Sequence, residues 1–220
     1  MEGFIELPVV DHARLAARFA ADAERVQWHD ALLWQVRLKR DRAAAEVPEW
    51  EELRRLASEI KAHVLTHLDR YLEQFEARAR ACGIQVHWAR DAAAHNRIVH
   101  ELLAARHVRR VVKSKSMLTE ECGLNPYLEA QGIEVVDTDL GERIMQLLRQ
   151  PPSHIVTPAI HLRREEVVRL FHEKLGVPEN LTPDELVAVA RRVLRQKFLE
   201  AEAAITGVNF AVAETGTLVV

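Results

Sequence analysis

Cysteine is scarce in this chain of 220 residues, which contains only Cys82 and Cys122. Two thiols cannot form a disulfide framework, and they fall short of the four ligands that a structural zinc ion or an iron–sulfur cluster takes. We therefore expect no metal site and no cluster held by these residues alone.

The sequence also lacks an excess of charge of one sign and any long apolar run. Its 30 Lys and Arg residues nearly balance 33 Asp and Glu residues, so no strong positive field favours nucleic acid. No segment approaches the roughly 18–20 apolar residues that span a bilayer, and the first residues lack the basic and apolar regions of a signal peptide. We expect a cytoplasmic protein with no nucleic-acid partner and no membrane span.

Glycine-rich nucleotide-binding loops are a third absence. Neither G-x-G-x-x-G after a strand nor G-x-x-x-x-G-K-[ST] occurs, which argues against a classical dinucleotide or nucleoside-triphosphate site. The composition that remains, with 48% apolar and 29% charged residues, is typical of an ordinary globular protein.

Residues 11–81 repeat apolar side chains at the spacing of amphipathic helices. Asp11 can cap the first helix, and the series from Trp50 to Phe75 places apolar residues three and four positions apart. Cys82 and Gly83 then form a helix end, because glycine readily takes the left-handed conformation. The pattern predicts two long helices in an N-terminal helical part, residues 1–82, that packs on the domain that follows.

From residue 84 onward, short β-rich runs alternate with helical stretches, which is typical of an α/β protein with a helix-flanked, mostly parallel sheet. The predicted strands are 84–88, 108–113, 133–137, 154–158, 208–213 and 217–220, and the predicted helices are 91–105, 119–130, 140–148, 163–175 and 183–205. Residues 83–220 are thus predicted to be the α/β domain. Because a strand stops at Val220, we expect this domain to be incomplete and the chain to be a piece of a longer protein.

Ligands of open parallel sheets gather beyond the carboxyl ends of the strands, and four loops qualify. The first, residues 113–121, offers ammonium groups, hydroxyls and carboxylates from Lys113, Ser114, Lys115, Ser116, Thr119, Glu120 and Glu121. The combination predicts a site for an anion, either a carboxylate or a phosphate. The structural alternative is that Ser116 or Thr119 caps the next helix and that Glu120 and Glu121 are acids of its first turn.

The second and third loops carry candidates that also have structural alternatives. Asp139 and Glu142 are predicted to contact a ligand, although their spacing suits a helix N-cap and its reciprocal third residue. His161 is a candidate general acid and base, or a donor to a bound carboxylate, because imidazole titrates near neutrality. The alternative for His161 is a cap on the helix that starts near Arg163.

The fourth loop, residues 213–217, combines Glu214 with Gly216 and Thr217. Gly216 lets the backbone approach a ligand closely, and Glu214 at a strand end is a candidate catalytic carboxylate. A tight hairpin turn explains Gly216 equally well.

Because successive parallel strands end at one edge, we expect the four loops to converge on one anion-binding cleft. In this hypothesis the lysines hold the anion, Glu214 orients a hydroxyl and His161 exchanges a proton. Replacement of Lys113 or Lys115 by methionine is then expected to lower affinity while folding survives.

Four segments, in their order and spacing, resemble a known family. They are K-S-K-S-M-L-T-E-E-C-G-L-N (113–125), I-E-V-V-D-T-D-L-G-E (133–142), P-P-S-H-I-V-T-P-A-I-H (151–161) and A-E-T-G-T-L (213–218). Together they are similar to the LUD domain, and within it to the B-type lactate-utilisation iron–sulfur proteins.

The resemblance implies a fold like that of sugar-phosphate isomerases and CoA transferases, and a part in oxidising L-lactate to pyruvate with other lactate-utilisation subunits. It also implies [4Fe–4S] clusters in a ferredoxin-like segment beyond these residues, so that the chain holds no cofactor itself and is not active alone. The alternative is a non-redox binding or regulatory module for a small carboxylate such as lactate or pyruvate, a sugar phosphate or an acyl-CoA.

Overall fold

The computed structural model describes residues 11–220, apart from the side chain of His12. These residues divide into two compact units. One, the helical unit, comprises residues 11–84 and 212–217, and the other, the α/β unit, comprises residues 85–211 and 218–220.

Residues 11–84 of the helical unit form α1 (His12–Ala20), α2 (Ala23–Ala45), α3 (Trp50–Thr66) and α4 (Leu68–Ala81). The predicted helical character is confirmed, but the prediction of only two long helices is wrong. Asp22 starts a new helix because its side chain accepts a hydrogen bond from Arg25 N at 3.0 Å. His67 interrupts the second predicted helix, since its φ of −122° and ψ of 29° are not helical. Within residues 11–220, no helix combines the length and apolarity that a bilayer crossing requires.

The α/β unit is built on the strands β1 (Arg110–Lys113), β2 (Glu134–Asp137) and β3 (Ala203–Ile205). They form a parallel sheet in the order β2-β1-β3, with Val111 opposite Val135 on one side and Ala203 on the other. Its helices are α5 (Ala92–Ala104), α6 (Met117–Glu121), α7 (Leu124–Ala130), α8 (Leu140–Leu148), α9 (Arg164–Leu175) and α10 (Pro183–Glu200). The predicted class, mixed α/β with a parallel sheet and a helical N-terminal part, is confirmed.

Apolar side chains are buried on both faces of this sheet. Val111 and Val135 join a core cluster with Leu103 of α5 and with Leu124 and Leu128 of α7. Val112 and Val136 follow them in sequence, so they point to the opposite face, and they are buried as well. A second core cluster joins α8, α9 and α10.

Three of the predicted elements in this unit are wrong, and the predicted helix 119–130 is divided into α6 and α7 at Gly123, whose φ of 62° is left-handed. Residues 84–88 form no strand, and residues 154–158 turn because His154 Nδ1 accepts hydrogen bonds from the backbone N–H groups of Val156 and Thr157. Residues 203–205 are strand β3 and not the end of a helix. The reason is that the carboxylate of Glu202 accepts hydrogen bonds from Arg109 N at 2.6 Å and Arg110 N at 3.0 Å, which aligns the chain beside β1.

The predicted hairpin is present as β4 (Phe210–Val212) and β5 (Thr217–Val219), which form a two-stranded sheet. Its turn lies against α4 within the helical unit. Gly216 has a φ of +75°, and a Cβ atom placed on it would lie 2.6 Å from Ala79 N. Cys82 Sγ also approaches Thr215 O at 3.8 Å. Gly216 therefore has a packing role, because only a residue without a side chain allows this approach.

We expect Gly216→Ala to destabilise the helical unit more than Gly83→Ala does. Both glycines have positive φ, but a Cβ atom on Gly83 would meet nothing within 4 Å. Gly83→Ala is expected to lower the free energy of unfolding by about 1 kcal/mol from backbone strain alone. Gly216→Ala adds steric overlap worth roughly 1–3 kcal/mol more. Urea unfolding of both variants measures the difference, and equal losses would contradict the close packing on α4.

Candidate functional site

The carboxyl ends of β1, β2 and β3 lie at one edge of the parallel sheet. Lys113, the last residue of β1, pairs in register with Asp137 of β2 and with Ile205 of β3. Backbone hydrogen bonds continue beyond the strands, from Thr138 N to Lys113 O and from Ser114 N to Ile205 O, both at 2.9 Å. This carboxyl edge brings loops 113–121 and 137–142 together with residues 206–207.

Lys113 lies completely buried at this edge, with 0% of its side chain exposed. Its Nζ donates to Glu120 Oε1 at 2.8 Å and lies 2.9 Å from Asp137 Oδ1, and Asn125 Nδ2 donates to Asp137 Oδ2 at 3.0 Å. Burial acts to lower the pKa of Lys113, but Glu120 and Asp137 outweigh it, so the pKa is raised. Lys113 is therefore a charged internal partner of two carboxylates.

Glu142 is another buried ionisable residue of this edge, with 4% of the residue exposed. Both of its carboxylate oxygens are buried without a hydrogen-bond partner. Burial raises the pKa of Glu142 to about 7; the neighbouring Lys113 opposes this rise, and Asp137, Glu120 and Asp139 add to it. Asp139 caps α8 by accepting from Glu142 N at 3.0 Å, so the predicted N-cap is confirmed, although the side chain of Glu142 does not complete a reciprocal cap.

The outer part of the edge is more accessible and contains Lys115. The side chain of Lys115 is 32% exposed, and its Nζ lies 2.9 Å from Val156 O and 3.2 Å from Asp139 Oδ2. Ser114 Oγ lies 2.7 Å from Thr206 Oγ1, which places two hydroxyls beside the same strand ends. An ammonium can bind a carboxylate group, and hydroxyls can hydrogen-bond to a hydroxyl or keto oxygen.

Ser116 and Thr119 have the structural role that the alternative predicted. Ser116 is the N-cap of α6: its Oγ accepts from Thr119 N at 3.4 Å, and Thr119 Oγ1 donates to Ser116 O at 2.8 Å. Both residues are buried, whereas Glu121 is exposed at the end of α6. A ligand contact by these three residues stays a prediction.

His161 lies in the segment between α8 and α9. Its Nδ1 is 2.8 Å from Ser153 Oγ, which donates to Pro158 O at 2.7 Å. Pro158 in turn lies close to the start of α8, because a Cβ atom on Gly141 would be 3.0 Å from Pro158 Cδ. The helix cap that the alternative predicted near His161 is instead made by the carboxylate of Glu166, which accepts from Arg163 N at 2.7 Å.

The structure does not assign the fourth loop to the α/β unit. Glu214, Gly216 and the first residue of β5, Thr217, belong to the helical unit, where Gly216 is buried and the other two are exposed. Thr217 N donates to Thr215 Oγ1 at 3.2 Å, which is an ordinary turn contact. A contribution of these residues to a ligand site stays a prediction.

Asn125, Asp137 and Thr206 lie at the carboxyl edge but are not among the site residues predicted from the sequence. Asp137 ends a correctly predicted strand, so its position alone was a usable signal. Thr206 follows β3, whose residues the sequence pattern predicts to be the end of a helix. Asn125 contacts Asp137 from α7, and no local pattern in the sequence indicates that contact.

The cysteines do not fit an iron–sulfur cluster. Cys82 belongs to the helical unit and Cys122 to the α/β unit, and a cluster of this kind is held by about four thiolates. Burial and the nearby Glu121 raise the pKa of Cys122, which disfavours the thiolate that binds metals. Among residues 11–220, no three His, Cys, Asp or Glu side chains are placed to hold a metal ion.

We expect Lys113→Met to destabilise the fold and Lys115→Met to leave it nearly intact, which revises the expectation that both variants fold normally. Removing Lys113 leaves Asp137 and Glu120 without their buried cation, at a cost of roughly 3–5 kcal/mol in the free energy of unfolding. Lys115 forms a partly exposed ion pair, worth about 0–1 kcal/mol. Denaturant unfolding of the two variants tests this, and similar stabilities would contradict the buried pairing.

We also expect Glu142→Gln to stabilise the chain at alkaline pH. The folded pKa of about 7 lies above the ordinary value of 4.5, so the folded state binds the extra proton between these values. Stability from this group is full below pH 4.5 and is lost as the pH rises through 7, by roughly 3 kcal/mol. Relative to wild type, Glu142→Gln should gain most of that amount between pH 5 and pH 8.5.

Urea unfolding at both pH values measures the gain, and Glu173→Gln, the same change at an exposed position of α9, is the control. A pH-independent difference between wild type and Glu142→Gln would show that Glu142 titrates normally.

The region that matches known relatives is most of this chain, but it is less than half of the length of each relative. Lactate utilization protein B of Bacillus licheniformis is 46% identical over 185 residues, which are 84% of this chain and 39% of the relative. The protein of the same name from Bacillus subtilis is 45% identical over 185 residues, with the same two coverages. An uncharacterized electron transport protein of Escherichia coli, YkgF, is 45% identical over 179 residues, covering 81% of this chain and 38% of that protein.

No solved structure matches the chain. The family model of the LUD domain matches residues 72–220, and with the similarity to lactate utilization protein B it confirms the resemblance carried by the four segments. Because this match covers more than half of its residues, the chain belongs to the LUD domain family.

Proposed function

We propose that this chain is the LUD-domain part of a subunit of an L-lactate oxidation system, working with other lactate-utilisation subunits in the cytoplasm. The observation that carries the proposal is the identity of about 45% to lactate utilization protein B along 84% of the chain. The chain spans about two fifths of the length of these relatives, and we place the [4Fe–4S] clusters in the remaining part, because Cys82 and Cys122 cannot hold one.

We further propose that the carboxyl edge binds the small carboxylate, lactate or pyruvate. Lys115 would hold the carboxylate group, and the hydroxyls of Ser114 and Thr206 would hydrogen-bond to the oxygen on the adjacent carbon. This proposal is supported by the accessible ammonium group of Lys115 and by the hydroxyls of Ser114 and Thr206, which neighbour each other at the ends of β1 and β3. His161 would exchange the proton of the substrate hydroxyl. The hydrogen bond between its ring and Ser153 would orient the imidazole.

The electrostatics of the edge predict modest affinity. The charge of Lys113 is compensated by two carboxylates, and Lys115 already contacts Asp139 and Val156 O. An incoming carboxylate must therefore displace the contacts of Lys115, so only part of the ion-pair free energy is available for binding.

The parallel sheet buried on both faces also supports a fold of the sugar-phosphate isomerase and CoA-transferase type, which we propose for the α/β unit. Sheets of this kind bind ligands beyond the carboxyl ends of their strands. The proposed position of the carboxylate agrees with that rule.

A segment exchange tests the proposed function. The matching segment of Bacillus subtilis lactate utilization protein B is replaced by this chain, and growth on L-lactate as sole carbon source is measured. We expect growth with the exchanged wild-type segment. A hybrid that accumulates as a stable protein but does not support growth would contradict a lactate function and would favour a non-redox binding module.

Lys115→Met is expected to weaken binding of lactate or pyruvate to the chain by up to about 10-fold, the equivalent of roughly 1.4 kcal/mol, because the loss of its contacts with Asp139 and Val156 O offsets part of the charge-assisted contact. Lys174→Met, the same change at an exposed position of α9, is the matched control and should bind as wild type does. Isothermal titration calorimetry measures both affinities. Unchanged binding by Lys115→Met would exclude Lys115 from the site.

A further inference from the structure

The buried carboxyl group of Glu142 has no structural explanation in the fold. It is the third residue of α8, where a carboxylate ordinarily accepts a hydrogen bond from the N-cap backbone or benefits from the helix dipole. Here both carboxylate oxygens of Glu142 are buried and have no hydrogen-bond partner. The cap made by Asp139 uses only the backbone N–H of Glu142, so the cap does not explain the carboxyl group. Burying an ionised carboxylate without hydrogen-bond donors is unfavourable in free energy, so burial favours the protonated form of Glu142.

The charges around Glu142 come from three packed elements and from the N-cap of its own helix. Lys113 of β1 is the cation, and Asp137 of β2, Glu120 of α6 and Asp139 are the anions. Lys113 already pairs with Glu120 and Asp137 at 2.8 and 2.9 Å. The surroundings are therefore negative overall, and any further anion at the carboxyl edge makes ionisation of Glu142 harder.

We propose that Glu142 takes up a proton from solvent when a small carboxylate binds at the carboxyl edge of the sheet. This inference rests on the proposed function, because it assumes that lactate or pyruvate binds there. The proton is transferred to a carboxylate oxygen of Glu142, and it is released when the anion leaves. No bond of the ligand breaks in this step, and the proton taken up by Glu142 offsets part of the charge that the anion brings.

The coupling makes a specific pH dependence. Glu142 titrates near pH 7 in the free chain, so about half of it is ionised there. If the bound anion raises the pKa by about one further unit, the uptake at pH 7 is roughly 0.4 protons for each anion. Uptake vanishes near pH 5, where Glu142 is protonated in both states, and affinity falls as the pH rises above 7.

Isothermal titration calorimetry with pyruvate, in buffers of different ionisation enthalpy at pH 7, measures this uptake directly. The slope of the observed enthalpy against the buffer ionisation enthalpy is the number of protons taken up. We expect roughly 0.4 for wild type and for the control Glu173→Gln. We expect zero for Glu142→Gln, with binding retained and an affinity that no longer changes between pH 6 and pH 8.

A second measurement keeps the test valid if Glu142→Gln folds poorly. The ¹³C chemical shift of the Glu142 carboxyl group, assigned in the labelled wild-type chain, is followed against pH with and without pyruvate. An upward shift of its midpoint on addition of pyruvate supports the coupling, and an unchanged midpoint overturns it.

The remaining outcomes separate the two proposals. Pyruvate that binds with zero slope overturns the proton coupling and leaves the proposed function standing. A slope that survives in Glu142→Gln assigns the proton to another group, such as His161, and also overturns the coupling. Absence of binding by both pyruvate and lactate overturns the coupling together with the ligand that the proposed function assigns to this edge.

Discussion

The pairing of Lys113 with two carboxylates is the interaction on which the carboxyl edge of the sheet depends. An ammonium group with no solvent contact is stable only when opposite charges satisfy it, and Glu120 and Asp137 supply them from α6 and β2. Since Lys113 is the last residue of β1, this pairing joins the end of one strand to the end of the next and to a helix of the following loop. Charge pairing therefore shapes this edge, whereas apolar packing holds the rest of the sheet.

The same interaction explains the chemical character of the site. A lysine at a strand end would attract anions if its ammonium group faced solvent. The charge of Lys113 is instead compensated within the protein by Glu120 and Asp137. The cation closest to solvent is then Lys115, which Asp139 partly compensates. Glu142 adds a buried carboxyl group whose oxygens have no hydrogen-bond partner. This charge distribution supports the proposal that the edge binds a small monoanion and not a strongly charged ligand.

The elements predicted correctly from the sequence are those whose signals are local. Asp11 and Asp139 are found as helix N-caps, because cap and helix are neighbours in the chain. The β-branched runs of β1 and β2 are equally local. Strand β3 was missed because it depends on Glu202 binding the backbone beside β1, which is a contact between residues more than 90 positions apart.

The sequence places loops 113–121 and 137–142 correctly at the carboxyl edge of the parallel sheet, whereas loops 157–161 and 213–217 do not follow strands of this sheet. Lys113 and Lys115 are equivalent in the sequence pattern, and only the three-dimensional partners of each show that one is buried and the other accessible. The spacing of Glu142 from Asp139 is visible in the sequence, yet the burial of its carboxyl group depends on side chains from other elements. Spacing identifies which residues are near a strand end, but it does not predict which of them face solvent.

The close approach of Gly216 to α4 has a consequence for dividing the protein. The chain leaves the helical unit after residue 84, returns to it at residue 212 and leaves again after residue 217, so no single cut separates the two units. The family match begins at residue 72, inside α4, which is the helix that receives the hairpin turn. A fragment that begins at residue 72 would lack the first turn of this helix. A fragment that begins before Leu68 keeps the whole helix against which the hairpin turn packs.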